Sequence, residues 1–76
     1  MSKFTLTWFS KDHDQFAGEA ALSGISEREI RRILGLSASD LLLGEFRLSN
    51  AQVNSVTEFA NTKIDTKAYD YFITPT

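Results

Sequence analysis

The chain has 76 residues, enough for one small hydrophobic core, so we expect a single domain over residues 1–76. Its 42% hydrophobic and 24% charged residues are typical of a globular protein. The absence of cysteine excludes disulfides and thiolate metal sites, and a single histidine excludes multi-histidine sites. The net charge of −2 argues against a nucleic-acid partner. No apolar run approaches the roughly 20 residues of a membrane helix, and no signal-peptide pattern opens the chain, so we expect a cytoplasmic protein.

An alternating pattern of aromatic and β-branched residues over 3–10 predicts the first strand. One side of this strand carries Phe4, Leu6 and Trp8. The other side carries Phe9. After a polar turn, residues 15–22 predict a returning strand, which Gly18 and three alanines weaken.

A register that pairs Ser10 with Gln15 fits this hairpin at its turn. The pairs that follow are Phe9 with Phe16, Trp8 with Ala17, and Leu6 with Glu19. The pair Leu6–Glu19 would place a carboxylate beside an apolar residue on the core side of the sheet. The sequence therefore does not decide the register of this hairpin beyond its turn.

A helix over about residues 27–34 is predicted by its end signals. Ser26 and Glu29 have the spacing of a capping box, and Gly35 is suited to the left-handed residue that ends a helix. The apolar face of this helix consists of Ile30, Ile33 and Leu34. A helix this short is not stable alone, so it must pack against the rest of the domain.

The same capping pattern recurs at Ser49 and Gln52 and predicts a second helix over about 50–60. The buried stripe of this helix consists of Val53, Val56, Phe59 and Ala60. Asn61 is the predicted left-handed residue at its end. Residues 41–48, between the helices, have no clear period and are compatible with strand or helix.

Residues 67–73 predict a last strand that stops before Pro75. Its alternation places Tyr69, Tyr71 and Ile73 on one face. Phe72 falls on the other face. The element order β-β-α-α-β predicts an α+β domain, a three-stranded antiparallel sheet with two helices packed on one face. The second face of such a sheet meets water or a partner.

Catalytic chemistry has little support in the sequence. His13 lies between Asp12 and Asp14 in the predicted turn, and a histidine beside a carboxylate can act as a base. No nucleophile accompanies it, and adjacent residues rarely converge on one metal ion, so a solvated turn explains this triplet best. We expect no enzymatic activity, no cofactor and no metal.

Residues 26–43 offer a second interpretation because they look like a helix-turn-helix. In a small DNA-binding regulator, Arg28, Arg31 and Arg32 would contact phosphates. The would-be recognition helix, however, carries Asp40 and leucines with no basic or amide residue to read base edges. Arg31 also stands where such a motif needs a small residue. The alternative is an ordinary capped helix with a solvated outer face.

The third possibility is a binding face, because Phe9 and Phe16, joined by Phe72, point away from the predicted core. An aromatic cluster on an uncovered sheet face indicates a protein interface. Residues 37–48 of the same chain would cover this aromatic cluster equally well. So would a second copy of the chain in a homodimer, in which case the protein would be a homo-oligomeric accessory protein. Carboxylates around it would steer a basic partner, although each one alone is explained by solubility. The predicted protein-binding residues are Phe9, Phe16, Asp12, Asp14, Asp40, Glu45, Asp65, Tyr69, Asp70 and Tyr71.

The assembled pattern resembles a known group of sequences. It combines WF-x-K in the first strand, F-x-G-E in the second, ILGL, L-x-G-E-F-R-L before the second helix, and I-D-x-x-x-Y-D-Y-F near the end. The chain thereby resembles small bacterial single-domain proteins without assigned activity. In size, acidity and lack of catalytic groups it is also similar to immunity proteins of contact-dependent growth inhibition and related polymorphic toxin systems. This resemblance implies binding of a cognate toxin, often a nuclease, in the cytoplasm, and assigns no individual residue.

Overall fold

The computed structural model describes residues 4–37, 39–40, 42 and 44–75. The elements are strand β1 Phe4–Ser10, strand β2 Phe16–Ala21, helix α1 Glu27–Leu34, strand β3 Phe46–Arg47, helix α2 Asn50–Val56, a 3-10 turn Thr57–Phe59 and strand β4 Tyr69–Pro75. Lys3, at the start of the first predicted strand, lies outside the described residues, as do Leu41 and Leu43 of the undecided segment 41–48.

Four antiparallel strands form one sheet in the order β2-β1-β4-β3. The α+β class with two helices is confirmed, whereas the predicted count of three strands is wrong. The added strand is β3, whose Phe46 and Arg47 lie opposite Ile73 and Phe72. Two residues cannot show a periodic pattern, and pairing with β4 rather than local sequence makes them a strand.

The hairpin has the predicted pairing at its turn. Ser10 N donates to Gln15 O at 2.8 Å, and Phe9 lies opposite Phe16. Ala17 is then an extra residue in β2, a β-bulge that shifts the register by one position.

Beyond the bulge the pairs are Trp8 with Gly18, Thr7 with Glu19, and Leu6 with Ala20. The predicted pairs Trp8–Ala17 and Leu6–Glu19 are therefore wrong. The shift has a clear physical benefit, because it moves the Glu19 carboxylate from the core side of the sheet to the uncovered side.

One hydrophobic core joins a face of the sheet to both helices. Its buried side chains are Phe4, Leu6, Leu22, Ile30, Leu48, Val53, Val56, Ala60, Tyr71 and Ile73. The face predicted for β1 and the stripes predicted for the two helices all contribute to it. A fully buried aliphatic side chain contributes about 1.5–3 kcal/mol, so packing holds helices that are too short to form alone.

Side-chain caps begin both helices where the sequence predicts. Ser26 Oγ accepts a hydrogen bond from Glu29 N at 3.1 Å. The second capping box is complete, since Gln52 N donates to Ser49 Oγ at 3.2 Å and Ser49 N donates to Gln52 Oε1 at 2.8 Å. Gly35, at φ 73°, ends α1 in the left-handed conformation as predicted.

The second helix ends differently from the prediction, because it tightens into the 3-10 turn Thr57–Phe59. Asn61 is not left-handed, and among the non-glycine residues described only Asp14 has a positive φ. The chain leaves the turn in an extended conformation at Ala60, which forms a bridge with Leu22. Tertiary pairing therefore overrides the local signal at this end.

Strand β4 begins later than the predicted 67–73 segment and includes Pro75. Pro75 lies opposite Phe4, whose carbonyl accepts a hydrogen bond from Leu22 N on the other side of β1. Because the backbone groups of Phe4 point away from β4, a residue without an N–H fits opposite it.

Candidate protein-binding face

Three phenylalanines meet on the face of the sheet that the helices leave uncovered: Phe16 on β2, Phe9 on β1 and Phe72 on β4. The ring centroid of Phe9 lies 5.9 Å from that of Phe16 and 5.5 Å from that of Phe72, both in edge-to-face geometry. Phe16 is 59% exposed, while Phe9 and Phe72 are half-buried. The structure thus brings together the aromatic residues that the strand alternation assigns to this side.

An arginine extends this cluster to the opposite edge of the sheet. The Arg47 Cζ lies 6.0 Å from the ring centroid of Phe72, at the limit of a cation–π contact. We refer to Phe16, Phe9, Phe72 and Arg47 as the aromatic stripe. It crosses all four strands from the outer strand β2 to the outer strand β3.

Asp70 holds the cationic end of the stripe in place. Its Oδ1 lies 3.1 Å from Arg47 Nη2 and 3.9 Å from Lys11 Nζ. The Asp70 side chain is 25% exposed, against 69% for Arg47 and 42% for Lys11. Pairs this exposed contribute only about 0–1 kcal/mol to folding.

The composition of the stripe is typical of the centre of a protein interface. Phenylalanine and arginine are both enriched there, and arginine is among the residues whose truncation most often weakens binding strongly. The stripe lies outside the core, and its most exposed ring gains little from folding. Its arrangement can therefore present a mainly apolar surface to a partner.

Part of the predicted carboxylate rim lies beside the stripe. Asp12 and Asp14 are exposed in the hairpin turn that follows Phe9 and precedes Phe16, and Asp14 N closes this turn by donating to Ser10 O at 2.7 Å. These two carboxylates lie near one end of the stripe, and Asp70 lies on the stripe face itself.

Two other predicted carboxylates form local turns. Asp40 Oδ2 accepts a hydrogen bond from Ser37 N at 2.7 Å, in the segment after α1. Asp65 Oδ1 accepts from Lys67 N at 3.0 Å and organises the turn before β4. Both have intramolecular partners that explain a carboxylate at these positions. Glu45 is exposed in the segment before β3.

The two predicted tyrosines lie on the core side of the sheet. Tyr71 is 2% exposed, and its Oη accepts a hydrogen bond from Asp65 N at 2.9 Å. Tyr69 is half-buried, with its ring centroid 6.4 Å from that of Tyr71. Neither is part of the aromatic stripe, and the Tyr71 side chain serves the core.

Sequence reasoning missed Arg47 as a residue of this face. The only signal in the sequence is that the segment around Arg47 is compatible with an extended conformation, which would place Phe46 and Arg47 on opposite faces. The face that Arg47 occupies follows only from its pairing with Phe72. This pairing joins positions 25 residues apart in the chain.

The arrangement of α1 does not match a helix-turn-helix. None of the residues described between 35 and 49 is helical, so this part of the chain supplies no recognition helix. The Arg31 side chain is only 18% exposed. Its Nη1 donates to the carbonyl oxygens of Ser37 and Asp40, and its Nε lies 3.4 Å from Glu27 Oε2. Arg31 therefore holds the segment after the helix.

Among the residues that the structure describes, no three histidine or carboxylate side chains are placed to hold a metal ion. No helix in this part of the chain is long and apolar enough to cross a bilayer.

The fold and this face define a class of protein: a small α+β domain whose four-stranded sheet has helices on one face and an aromatic stripe on the other. The chain belongs to the family described as a domain of unknown function, DUF7683, which it matches over residues 3–74. No curated protein matches the chain.

Proposed function

We propose that this chain is a cytoplasmic immunity protein that binds and neutralises a cognate bacterial toxin, with the aromatic stripe as the centre of the contact. The observation that carries this proposal is the placement of three phenylalanines and an arginine across the sheet face opposite α1 and α2. An inhibitor of this kind needs a rigid binding surface and no chemistry of its own.

The stripe is organised before the partner arrives, which supports tight binding. Phe9 contacts both neighbouring rings, and Arg47 pairs with Asp70 and lies against the ring of Phe72. Side chains that are already ordered lose less conformational entropy on association. The 59% exposed ring of Phe16 offers apolar area that the partner would remove from water.

Charge favours a basic toxin, such as a nuclease effector. The chain carries a net charge of −2, and the exposed Asp12 and Asp14 lie at the hairpin end of the stripe. Carboxylates beside an apolar contact raise the association rate of a basic partner more than they raise its final affinity.

The direct test is co-expression with the toxin-like product of the neighbouring gene, followed by co-purification and a growth-protection assay. Phe16→Ala and Arg47→Gln remove two exposed residues of the stripe. We expect each to weaken the complex about tenfold or more, because truncation of an interface hot spot costs about 2 kcal/mol or more and each ~1.4 kcal/mol is a factor of ten in Kd. The matched control is Lys63→Gln, which removes one exposed positive charge from the segment between the 3-10 turn and β4.

Thermal unfolding of each variant separates loss of binding from loss of folding. Absence of both a complex and protection would refute the immunity proposal. Equal effects of Arg47→Gln and Lys63→Gln would remove the stripe from the contact. A stable dimer in solution scattering that excludes the toxin would favour the homo-oligomeric alternative. The outer strand β2 is the available edge for such a dimer, although the Leu22–Ala60 bridge covers the chain just beyond its end.

A further inference from the structure

The outer surface of α1 forms an open cavity of about 380 Å³ that is rich in arginine. It is lined by Glu27, Arg28, Arg31, Arg32 and Leu36. Three of the chain's eight Lys and Arg residues thus surround one cavity with a single carboxylate. In a chain with net charge −2 this is a local excess of positive charge, and α1 packs on the opposite side of the sheet from the aromatic stripe.

One guanidinium in this cavity is already fixed. Arg31 Nη1 donates to Ser37 O at 2.7 Å and to the carbonyl of Asp40, and its Nε pairs with Glu27. These bonds use Nε and Nη1, and none of the hydrogen bonds among the described residues uses Nη2. A guanidinium that is held in this way binds a planar or tetrahedral oxyanion with little further loss of entropy.

The two other arginines are one helical turn apart. Arg28 and Arg32 are both exposed, and their spacing of four residues places like charges next to each other on the helix, which disfavours the free helix. Neither forms a salt bridge with a carboxylate among the residues described. The position of Arg32 in the last turn is favoured by the helix dipole, but the dipole does not favour Arg28 in the first turn.

We propose that this cavity binds a phosphate-type oxyanion of a small molecule, with Arg31 as the fixed anchor and with Arg28 and Arg32 closing on the ligand. Arginine is suited to this role because its fork of N–H donors matches the geometry of a phosphate. Leu36 adds an apolar wall, which favours a phosphate ester over the free ion. This site goes beyond the proposed toxin binding and is independent of it.

The test is a titration of the ¹⁵N-labelled full chain with inorganic phosphate and, separately, with phenyl phosphate. Sodium chloride at the same ionic strength is the reference for general screening. We expect saturable chemical-shift changes confined to the amides of residues 27–37. Tighter binding of phenyl phosphate would identify an ester as the ligand, and equal binding would identify the free ion. The double substitution Arg28→Gln with Arg32→Gln should weaken either affinity at least tenfold.

The matched control is Lys63→Gln with Lys67→Gln, which removes the same charge from exposed positions in the segment before β4. It should leave the affinity within about twofold of the original chain, an effect of general electrostatics only. The proposal would be overturned if sodium chloride reproduced the chemical-shift changes or if these changes failed to saturate. It would also be overturned if both double variants lowered the affinity equally. Circular dichroism confirms that each variant is folded. A failed toxin assay leaves this result unaffected, since the two surfaces are tested with different partners.

Discussion

The close approach of Trp8 to Gly18 makes a sharp prediction about the hairpin. A Cβ added at Gly18 would lie 2.6 Å from Trp8 Cζ2, 2.7 Å from Cε2 and 2.9 Å from Nε1. Real Cβ atoms essentially never approach other heavy atoms this closely, so Gly18→Ala must displace either the indole or strand β2. The backbone of Gly18 has no positive φ, and the expected effect therefore comes from space alone.

The expected magnitude follows from two opposing effects. Overpacking of this kind costs about 1–3 kcal/mol. Replacing glycine by alanine where the backbone permits it gains about 0.4–1 kcal/mol through the unfolded state. We expect Gly18→Ala to lower the free energy of unfolding by about 1–2 kcal/mol, which corresponds to a fall in Tm of roughly 5–15 °C for a domain of this size.

Urea unfolding followed by circular dichroism measures this change, and a double-mutant cycle with Trp8→Leu tests its cause. Leucine lacks the three indole atoms that collide with the added Cβ, so Gly18→Ala should cost little in that background. Trp8 is the only tryptophan, and displacement of its half-buried ring should also shift the native emission spectrum to longer wavelength. Equal costs of Gly18→Ala in the two backgrounds, or a stabilised single variant with unchanged emission, would refute the steric explanation.

Two smaller changes test the other local arguments. Ser49→Ala removes the oxygen that accepts from Gln52 N and should cost about 1 kcal/mol in thermal unfolding; Asn54→Ala, at an exposed position inside the same helix, is the control, and an equal cost there would contradict the capping argument. Asp70→Asn removes the ion pairs to Arg47 and Lys11 and should cost no more than about 1 kcal/mol at low salt. That cost should shrink further in about 1 M salt, and a cost that salt leaves unchanged would mean that Asp70 acts by packing.

The helices could be predicted well because their signals are local. Ser26 and Gly35 mark the two ends of α1, and the structure places the helix between them. Ser49 marks the beginning of α2 with equal clarity. The far end of α2 was predicted wrongly because Ala60 leaves the helix to pair with Leu22. That contact joins residues far apart in the chain, and a capping preference carries no information about it.

The same distinction applies to the candidate site. Phe9 and Phe16 were recoverable because strand alternation and a short hairpin turn bring them together. Arg47 was not, since its place on the stripe requires the pairing of β3 with β4. Asp40 and Asp65 accept hydrogen bonds within their own turns, and the sequence alone does not distinguish such a carboxylate from one that contacts a partner.

The bulge at Ala17 links the core to the candidate site. In an unbroken ladder, pairing Phe16 with Phe9 would force Glu19 opposite Leu6 and set a carboxylate on the core side. Pairing Glu19 with Thr7 in an unbroken ladder would instead move Phe16 out of line with Phe9. One extra residue satisfies both demands, because it changes the phase of β2 between the two pairs. The bulge also brings Gly18 opposite Trp8, where the missing side chain makes room for the indole. The weak strand signal of this segment, with its glycine and alanines, therefore reflects a β2 that places small residues opposite Trp8 and Leu6 at one end and Phe16 on the aromatic stripe at the other.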